Sequence, residues 1–541
     1  MAGGLNIVEI SDFTGGLNYR ADQFQLRNSE SPRMLNVEID PRGGVFSRGG
    51  VTRINPTDVA GTWTPQKLFS FSGSTPTIIL TTENRIYKST GGDFSLLNSA
   101  ASTPVVAYST HGACFAQWGK TAYFAVGQGG TGGWVWNTTD TYATQLTASG
   151  TSPKAWQSLP DATSRKMPSC EHLCVHANKM FAAYTREDVS GTLTVFPNRV
   201  RWSLENAPEN WNEPDYIDVN GGGDGITGMA VVAGQLVIFK PRAVYVLFGY
   251  DSDTFRLVEI SSNIGCSSHH HIAVSETGVY FYNISKGLYF YNGSNLVDVF
   301  ANLRPIIDLG HVNSTVPEAI SVAYIGRRIW VSLPYSETTS TTDTTTTFVY
   351  DPSIRDGAWM QFRTADGYGF VDGTDFRDSN GNEFRLAAHP IEPCVLSVDN
   401  YDVSVDNIYG TTQPFESYYR TRWFDGGSYM QKKMFRRPDI VLKESNVPQN
   451  IVVQVYHNFD EANGNEKRVF TIGLNPPSGG MVWGTGTWGQ NWSQDAISST
   501  VVTGKNLGLA RTVQLQFNGP AGSAWGLDSI GFKYQARKVK G

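Results

Sequence analysis

Short runs of alternating apolar and polar residues recur along most of the chain, and no stretch carries the apolar periodicity of a long amphipathic helix. Alternation sends successive side chains to opposite faces of an extended backbone, so the pattern predicts strands almost everywhere and an all-β fold. The runs come in pairs separated by Gly-, Asn- or Ser-containing turns. Two examples are KLFSFSGSTPTIILTTENRIYKST (67–90) and ACFAQWGKTAYFAVGQGGTGGWVWN (113–137), each a hairpin plus a third strand. Further units lie at 170–185, 226–250, 271–300, 321–335 with 346–364, and 367–400. A spacing of ~40 to 50 residues is that of three- or four-stranded propeller blades, so a β-propeller of six or seven blades is predicted over 61–410. A pair of stacked β-sandwiches is the competing architecture, and no WD or kelch signature marks the blades.

The pattern changes beyond residue 411. FESYYRTRWFDGGSYMQKKMFRRPDIVLK, IVVQVYHNFD, RVFTIGL and TVQLQFNG alternate as longer strands, with a turn at Asp425, Gly426 and Gly427. They predict an antiparallel β-sandwich forming a separate C-terminal domain over 411–541. Residues 1–60 are read as an N-terminal arm or as a segment closing the propeller. Within the propeller, SETTSTTDTTTT (336–347) contains almost nothing that can be buried and is read as an exposed loop.

Composition narrows the class. With 56 Gly, 28 Phe, 24 Tyr and 14 Trp beside 17% charged residues, the 541-residue chain is aromatic- and turn-rich, as expected of many short strands. The first residues, MAGGLNIVEISDF, have neither a basic leader nor an apolar core, so folding in the cytosol is expected. The longest apolar stretch, Met229 to Phe239, is far shorter than the roughly 20 residues that span a bilayer. Five scattered cysteines are read as buried thiols rather than a disulfide framework. The net charge of -6 conceals an asymmetry: residues 411–541 hold 15 Lys and Arg against 9 Asp and Glu, leaving 28 against 40 in the preceding part.

Candidate chemistry is sparse. In CEHLCVH the residues Cys170, His172, Cys174 and His176 suggest a metal site, but on one straight strand they project from one face at intervals of about 6.6 Å, and at most two could reach one ion. His269, His270 and His271 are adjacent, alternate faces on a strand, and are read as surface or interface residues. Asp224, Asp356 and Asp372 are candidate glycosidase carboxylates, but each sits beside Gly, where Asp commonly caps a turn. No phosphate-binding loop, nucleophile elbow or H-E-x-x-H pair is present. A non-enzymatic protein without metal or cofactor is expected.

The most distinctive segment is DFTGGLNYRADQFQLRNSESPRMLNVEIDPRGGVFSRGGVTRIN, with Phe13, Gly15, Gly16, Leu17, Asn18, Pro32, Asn36, Val37, Gly43, Gly44, Arg48 and Gly49 as its marked positions. It resembles the N-termini of bacteriophage tail nozzle or hub proteins, the tail tubular B-like or DNA-stabilisation proteins of short-tailed phages. VYDPSIRDGAWMQF resembles the blade-closing segments of the same proteins. Long-tailed phages use related N-terminal elements in minor tail proteins. The resemblance implies a virion tail component, forming with copies of itself a ring, expected to be a homohexamer, below portal and adaptor. Such a ring would meet tail fibres or a spike, extend the DNA channel without specific DNA binding, and retain the genome until ejection. A host-receptor-binding or glycan-degrading tail protein is the alternative. Phe13, Gly15, Gly16, Leu17, Asn18, Pro32, Asn36, Arg48 and Gly49 are then candidate assembly residues, on an arm that could lie across a neighbouring subunit. The basic run Lys432, Lys433, Arg436 and Arg437 is a candidate docking patch for an acidic ring neighbour, or else a solvated edge that keeps a strand from aggregating.

Overall fold

A computed structural model of the chain describes residues 5–22, 25–101, 103–106, 112–127, 133–146, 167–189, 192–220, 224–337, 344–443, 449–462, 464–474 and 500–536. Packing divides the chain into two units, each discontinuous in sequence. One comprises Met1–Thr52, Phe348–Gly367 and Asp399–Gly541, the other Arg53–Thr347 and Tyr368–Val398. Among the described residues, helix is confined to Pro305–Asp308 and two 3-10 turns, His269–His271 and Pro317–Ala319.

The second unit is the propeller. Seven strands begin its sheets: Pro65–Ser72, Cys114–Trp118, Ser169–His176, Gly228–Val232, Ile272–Ser275, Ser321–Ile325 and Val371–Arg377. The first five sheets are four-stranded and add their strands in chain order, antiparallel throughout. The sixth begins with the hairpin Ser321–Ile325 and Arg328–Tyr335, and the seventh runs Val371–Arg377, Glu383–Ala388, Val395–Asn400.

Each sheet buries both faces, which is why many of its strands read as continuous apolar runs. In the fourth sheet, Leu236, Ile238, Tyr245 and Leu247 pack on Phe181 and Trp202 of the third. The alternate residues Val237, Phe239, Val244 and Val246 pack on Val279 and Phe281 of the fifth. The succession returns on itself, because Leu68, Ile78, Leu80 and Tyr87 of the first sheet share a core with Phe376, Leu386 and Val395 of the seventh. Each such fully buried side chain is worth roughly 1.5–3 kcal/mol, so closure rests on many small contributions.

The first unit is a β-sandwich. One sheet orders Thr500–Thr503, Lys433–Leu442, Gly526–Ala536, Val45–Ser47 and Val37–Ile39; Asn6–Ile10 also pairs with Gly526–Ala536, and Gly508–Ala510 with Lys433–Leu442. The other orders Arg33–Leu35, Tyr418–Arg420, Val513–Asn518, Gln449–His457 and Arg468–Leu474. Phe424, Phe435 and Phe532 form one aromatic cluster of the interior, with the Phe424 and Phe532 rings 5.2 Å apart.

Three sequence readings change here. The boundaries at 60 and 410 give way to the discontinuous division, because the first fifty residues supply strands to both sheets of the sandwich that contains the C-terminal part. Residues 1–60 are for that reason neither a free arm nor simply a closing segment of the propeller: Asn6–Ile10 runs in register with the last strand from Asn6↔Tyr534 to Ile10↔Ile530. The threonine-rich loop is shorter than its composition suggests, since Thr344–Asp351 is a strand and Thr347 Oγ1 lies 2.9 Å from Ser332 Oγ in the interior. The remainder of that loop, 338–343, lies outside the described residues.

Gly16 shows how tightly the N-terminal segment is held. Its φ is +64°, and a Cβ there would lie 2.8 Å from the carbonyl oxygen and 2.9 Å from the amide nitrogen of Trp359. Left-handed strain and overpacking each cost about 1–3 kcal/mol, so Gly16→Val should lose roughly 2–6 kcal/mol of stability. Folding should therefore fail before assembly does. Urea unfolding of the purified variant checks this, and a wild-type midpoint would refute it.

Candidate functional site

The N-terminal motif gathers around a buried ion pair. Arg48 donates from Nη2 to Asp406 Oδ2 at 2.7 Å and from Nη1 to Asp406 Oδ1 at 3.0 Å. The two side chains are 2% and 0% exposed. The remaining donors of Arg48 reach Asn36 Oδ1 (3.0 Å), the Gly49 carbonyl (2.7 Å) and the Arg363 carbonyl (2.8 Å), and its guanidinium stacks 3.8 Å from the Phe415 ring centre. Asp406 also accepts from the amides of Val51 and Ala365, at 3.1 and 2.8 Å. Asn36 holds the left-handed conformation (φ 53°), accepts from the Arg363 amide at 2.8 Å and donates to the Glu416 carbonyl at 2.7 Å. One polar cluster thus ties together all three sequence segments of the unit.

The other motif residues are framework around it. Phe13 and Leu17 are fully buried, with the Phe13 ring edge-on to Tyr419 at 5.2 Å. Asn18 closes a turn by accepting from the Arg20 amide at 2.8 Å, and Gly49 passes so close to Asn400 that a Cβ would lie 2.7 Å from its carbonyl carbon. Gly15 donates its amide to the Ser29 carbonyl at 3.1 Å, and Pro32 is half-buried between the strands Glu30–Ser31 and Arg33–Leu35. As candidate assembly residues, then, most of these side chains are committed inside their own unit and are not presented to a neighbour.

The basic run divides. Lys432, Arg436 and Arg437 are exposed, but Lys433 is 1% exposed and donates to the Ser428 and Gln431 carbonyls. Its burial holds the ammonium below its usual pKa. The strand Lys433–Leu442, which holds all of the run but Lys432, is flanked on both sides, so it is not an edge; Arg436 and Arg437 fall at a bulge between the pairs Phe435↔Tyr534 and Pro438↔Phe532. A bulge turns two successive side chains outward where regular pleating would bury one.

The cysteine and histidine clusters are interior features of the propeller. CEHLCVH is a strand, yet its cysteines separate: Cys170 joins the core between second and third sheets, and Cys174 packs against the core between third and fourth. Burial pushes the Cys174 and Cys266 thiols up to about 12, far from the thiolate that metal binding or nucleophilic chemistry requires. The three histidines are buried rather than surface residues, because they form a 3-10 turn capped by Ser268 and do not alternate. The His269 ring lies 4.1 Å from His270 and 5.5 Å from His172. Among the described residues, no group of three or more His, Cys, Asp or Glu could hold a metal ion.

Of the three turn aspartates, Asp356 (φ 63°) sits in a turn and Asp224 at an exposed bend, whereas Asp372 is a strand residue on the propeller axis. The inner strands enclose an axial cavity of about 480 Å³. Lys67 of the first sheet reaches across it to the carbonyls of Ile272 and His269, at 3.2 and 3.4 Å, and lies 3.8 Å from Asp372 Oδ1. Asp372 also accepts the Leu68 amide at 2.7 Å. Its backbone is left-handed (φ 43°), and burial raises its carboxyl to about 6. A spoke of polar contacts therefore joins first, fifth and seventh sheets, a feature that no local sequence pattern marked.

Two measurements test these sites. Arg48→Met leaves Asp406 buried without its cation and should cost about 3–5 kcal/mol in urea unfolding; a loss below about 1 kcal/mol would deny the pair its structural role. For Asp372 the folded-state pKa exceeds the ordinary 3.8, so the folded state binds the extra proton between about 4 and 6. Its contribution to stability is full below that window and is lost as pH rises through it, by an amount on the order of 3 kcal/mol. Asp372→Asn should match the wild type near pH 4 and exceed it near pH 7. Parallel pH–stability curves would contradict this.

No protein family matches the sequence, and no curated protein does. Among solved structures the chain is similar to BBS1N in complex with ARL6DN, at 11% identity over 66% of this chain and 96% of that one, with a TM-score of 0.36. It is also similar to the extracellular domain of the putative one component system BT4673 from B. thetaiotaomicron, at 9% identity over 84% of this chain and 59% of that one, with a TM-score of 0.41. Neither likeness carries an argument about what this chain binds or does.

Proposed function

We propose that this chain is a non-catalytic structural subunit of a bacteriophage tail, one copy in a nozzle or hub ring that extends the DNA channel and retains the genome until ejection. The observation that carries the reading is the N-terminal pattern from Phe13 to Gly49, with its spaced Gly15-Gly16-Leu17-Asn18, Asn36-Val37 and Arg48-Gly49 elements. Their buried roles give a physical reason for such a pattern: left-handed or close-packed positions need Gly, and a fully donor-matched buried carboxylate needs Arg. Ring contacts then fall to exposed groups, of which Lys432, Arg436 and Arg437 are the basic candidates for docking on an acidic neighbour, such as another copy, an adaptor or portal-side protein, or a fibre or spike. The excess of 40 acidic over 28 basic residues before position 411 supports a lumen that does not hold DNA.

Electron microscopy of the purified chain tests the reading. A ring with an open central channel is expected, a hexamer by the resemblance; a compact trimer or a glycan-cleaving monomer would overturn it. Arg436→Glu with Arg437→Glu should leave the fold intact and weaken incorporation into particles, most strongly at low salt, with the difference from the wild type narrowing as salt rises. Full incorporation would remove these residues from the docking surface. Rings should bind duplex DNA negligibly at low salt, and tight salt-sensitive binding would contradict an acidic lumen.

A further inference from the structure

The bulge on the sandwich sets three cations in one row. Arg436 and Arg437 fall between Phe435, opposite Tyr534, and Pro438, opposite Phe532, so the residue of the last strand that faces them is Lys533. Phe435 and Phe532 are buried, which leaves the alternate Lys533 on the outer face of the sheet, and all three cations are exposed. Ile7, opposite Lys533 on the first strand and 66% exposed, continues the row. Among the described residues none of the three cations has a carboxylate partner. The next row of the same face holds Glu9 and Asp439, and Asp439 already accepts from Thr503 Oγ1 at 2.9 Å. The face thus keeps a positive balance beside an uncovered apolar side chain.

The propeller unit carries the opposite charge. It holds 28 Asp and Glu against 21 Lys and Arg, whereas the sandwich unit holds 21 against 22. Its most exposed large apolar side chain, Tyr250 at 67%, stands in the turn between Val244–Phe248 and Arg256–Ser261 and is followed by the exposed Asp251, Ser252 and Asp253. That turn is braced. The Tyr250 and Asp251 amides donate to Thr254 Oγ1 at 3.3 and 3.1 Å, the Thr254 and Phe255 amides donate to the Asp251 carbonyl at 2.9 and 3.0 Å, and Trp202 Nε1 donates to Ser252 Oγ at 3.1 Å. None of these bonds uses either carboxylate. Glu205, exposed in a turn of the third sheet, adds a further negative charge to this unit, and Arg256 is the nearest cation in sequence.

We propose that the row Arg436, Arg437 and Lys533 docks on the Tyr250-Asp251-Ser252-Asp253 turn of a second copy of this chain, head to tail. Charge complementarity selects the occupant, because every copy carries both the unpaired cations and the unpaired carboxylates. Guanidinium groups hold carboxylates with charge-assisted bonds, and Tyr250 and Ile7 supply apolar surface to cover. Both halves have fixed backbones, the one in a sheet and the other in a braced turn, so little ordering opposes the contact. A head-to-tail contact builds a ring where its rotation closes, and in this respect the proposal rests on the ring reading and deepens it.

Sedimentation velocity of the purified full chain tests the contact. The wild type should self-associate at low salt, and less so as salt rises. Arg436→Glu with Arg437→Glu, and separately Asp251→Arg with Asp253→Arg, should each weaken association by about tenfold or more, since like charges then meet. An equimolar mixture of the two variants should associate as the wild type does, because each mixed contact again pairs opposite charges. If either double variant lacks the wild-type circular dichroism spectrum, Arg437→Gln or Asp253→Asn replaces it and should weaken association about threefold. Undiminished association of a folded variant, or a mixture that stays dissociated, overturns this contact and leaves a ring to other surfaces. A wild type that is monomeric in sedimentation and shows no ring by electron microscopy overturns the contact and the ring reading together.

Discussion

A guanidinium and a carboxylate buried together are tolerated only when nearly every donor and acceptor is met, and in the sandwich unit Arg48 and Asp406 satisfy that condition. Arg48 reaches Asn36, Gly49 and Arg363 besides its partner, and Asp406 takes amides from Val51 and Ala365. Those contacts are made by residues far apart in sequence, so the pair forms only when the N-terminal, the 348–367 and the C-terminal segments are all in place. Desolvation makes the arrangement nearly all-or-none: an incomplete shell leaves a buried charge, which is costlier than no charge at all. Register of the surrounding strands follows, because Asn36 and Arg48 sit at the ends of short strands whose slippage by one residue would turn the node outward.

The propeller unit is held differently. Its seven sheets have interfaces made mostly of apolar cores, each a modest contribution, and the ring is completed by the core shared between first and seventh sheets. The polar exception is the Lys67 spoke, which ties the axis with hydrogen bonds across the first and fifth sheets and a longer-range charge contact to the seventh. Burial raises the Asp372 carboxyl to about 6, and its backbone is left-handed (φ 43°).

The two units contribute differently to the functional reading. The proposed tail-ring role rests on the N-terminal pattern, most of whose marked residues are framework inside their own unit. Surface contacts must then come from side chains that the sandwich leaves outside, and the bulge at Arg436 and Arg437 is one such place. Lys433, two or more residues away in the same basic run, is spent inside the fold on the Ser428 and Gln431 carbonyls.

Period-two alternation, turn residues and unit spacing were enough to predict an all-β chain with a propeller of six or seven blades and an antiparallel sandwich, since these follow from local backbone geometry. The strands beginning at 65, 114, 169, 228, 272, 321 and 371 follow the expected spacing at four intervals of 44 to 50 residues, while 114 to 169 (55) and 169 to 228 (59) exceed it. Local pattern also placed CEHLCVH on a strand. It misjudged the histidine triplet, because a 3-10 turn and a strand cannot be told apart over three polar residues, and it left an edge strand open as one of two readings of the basic run, because pairing partners are not encoded next to the strand they flank. Tertiary structure alone decided that residues 1–52 share a sandwich with residues 399–541, that Arg48 meets Asp406, and that Lys67 crosses the axis to Ile272. Each of these is a contact across a few hundred residues, selected by which distant groups can satisfy a buried charge or close an apolar face, and that selection has no periodic trace in the sequence.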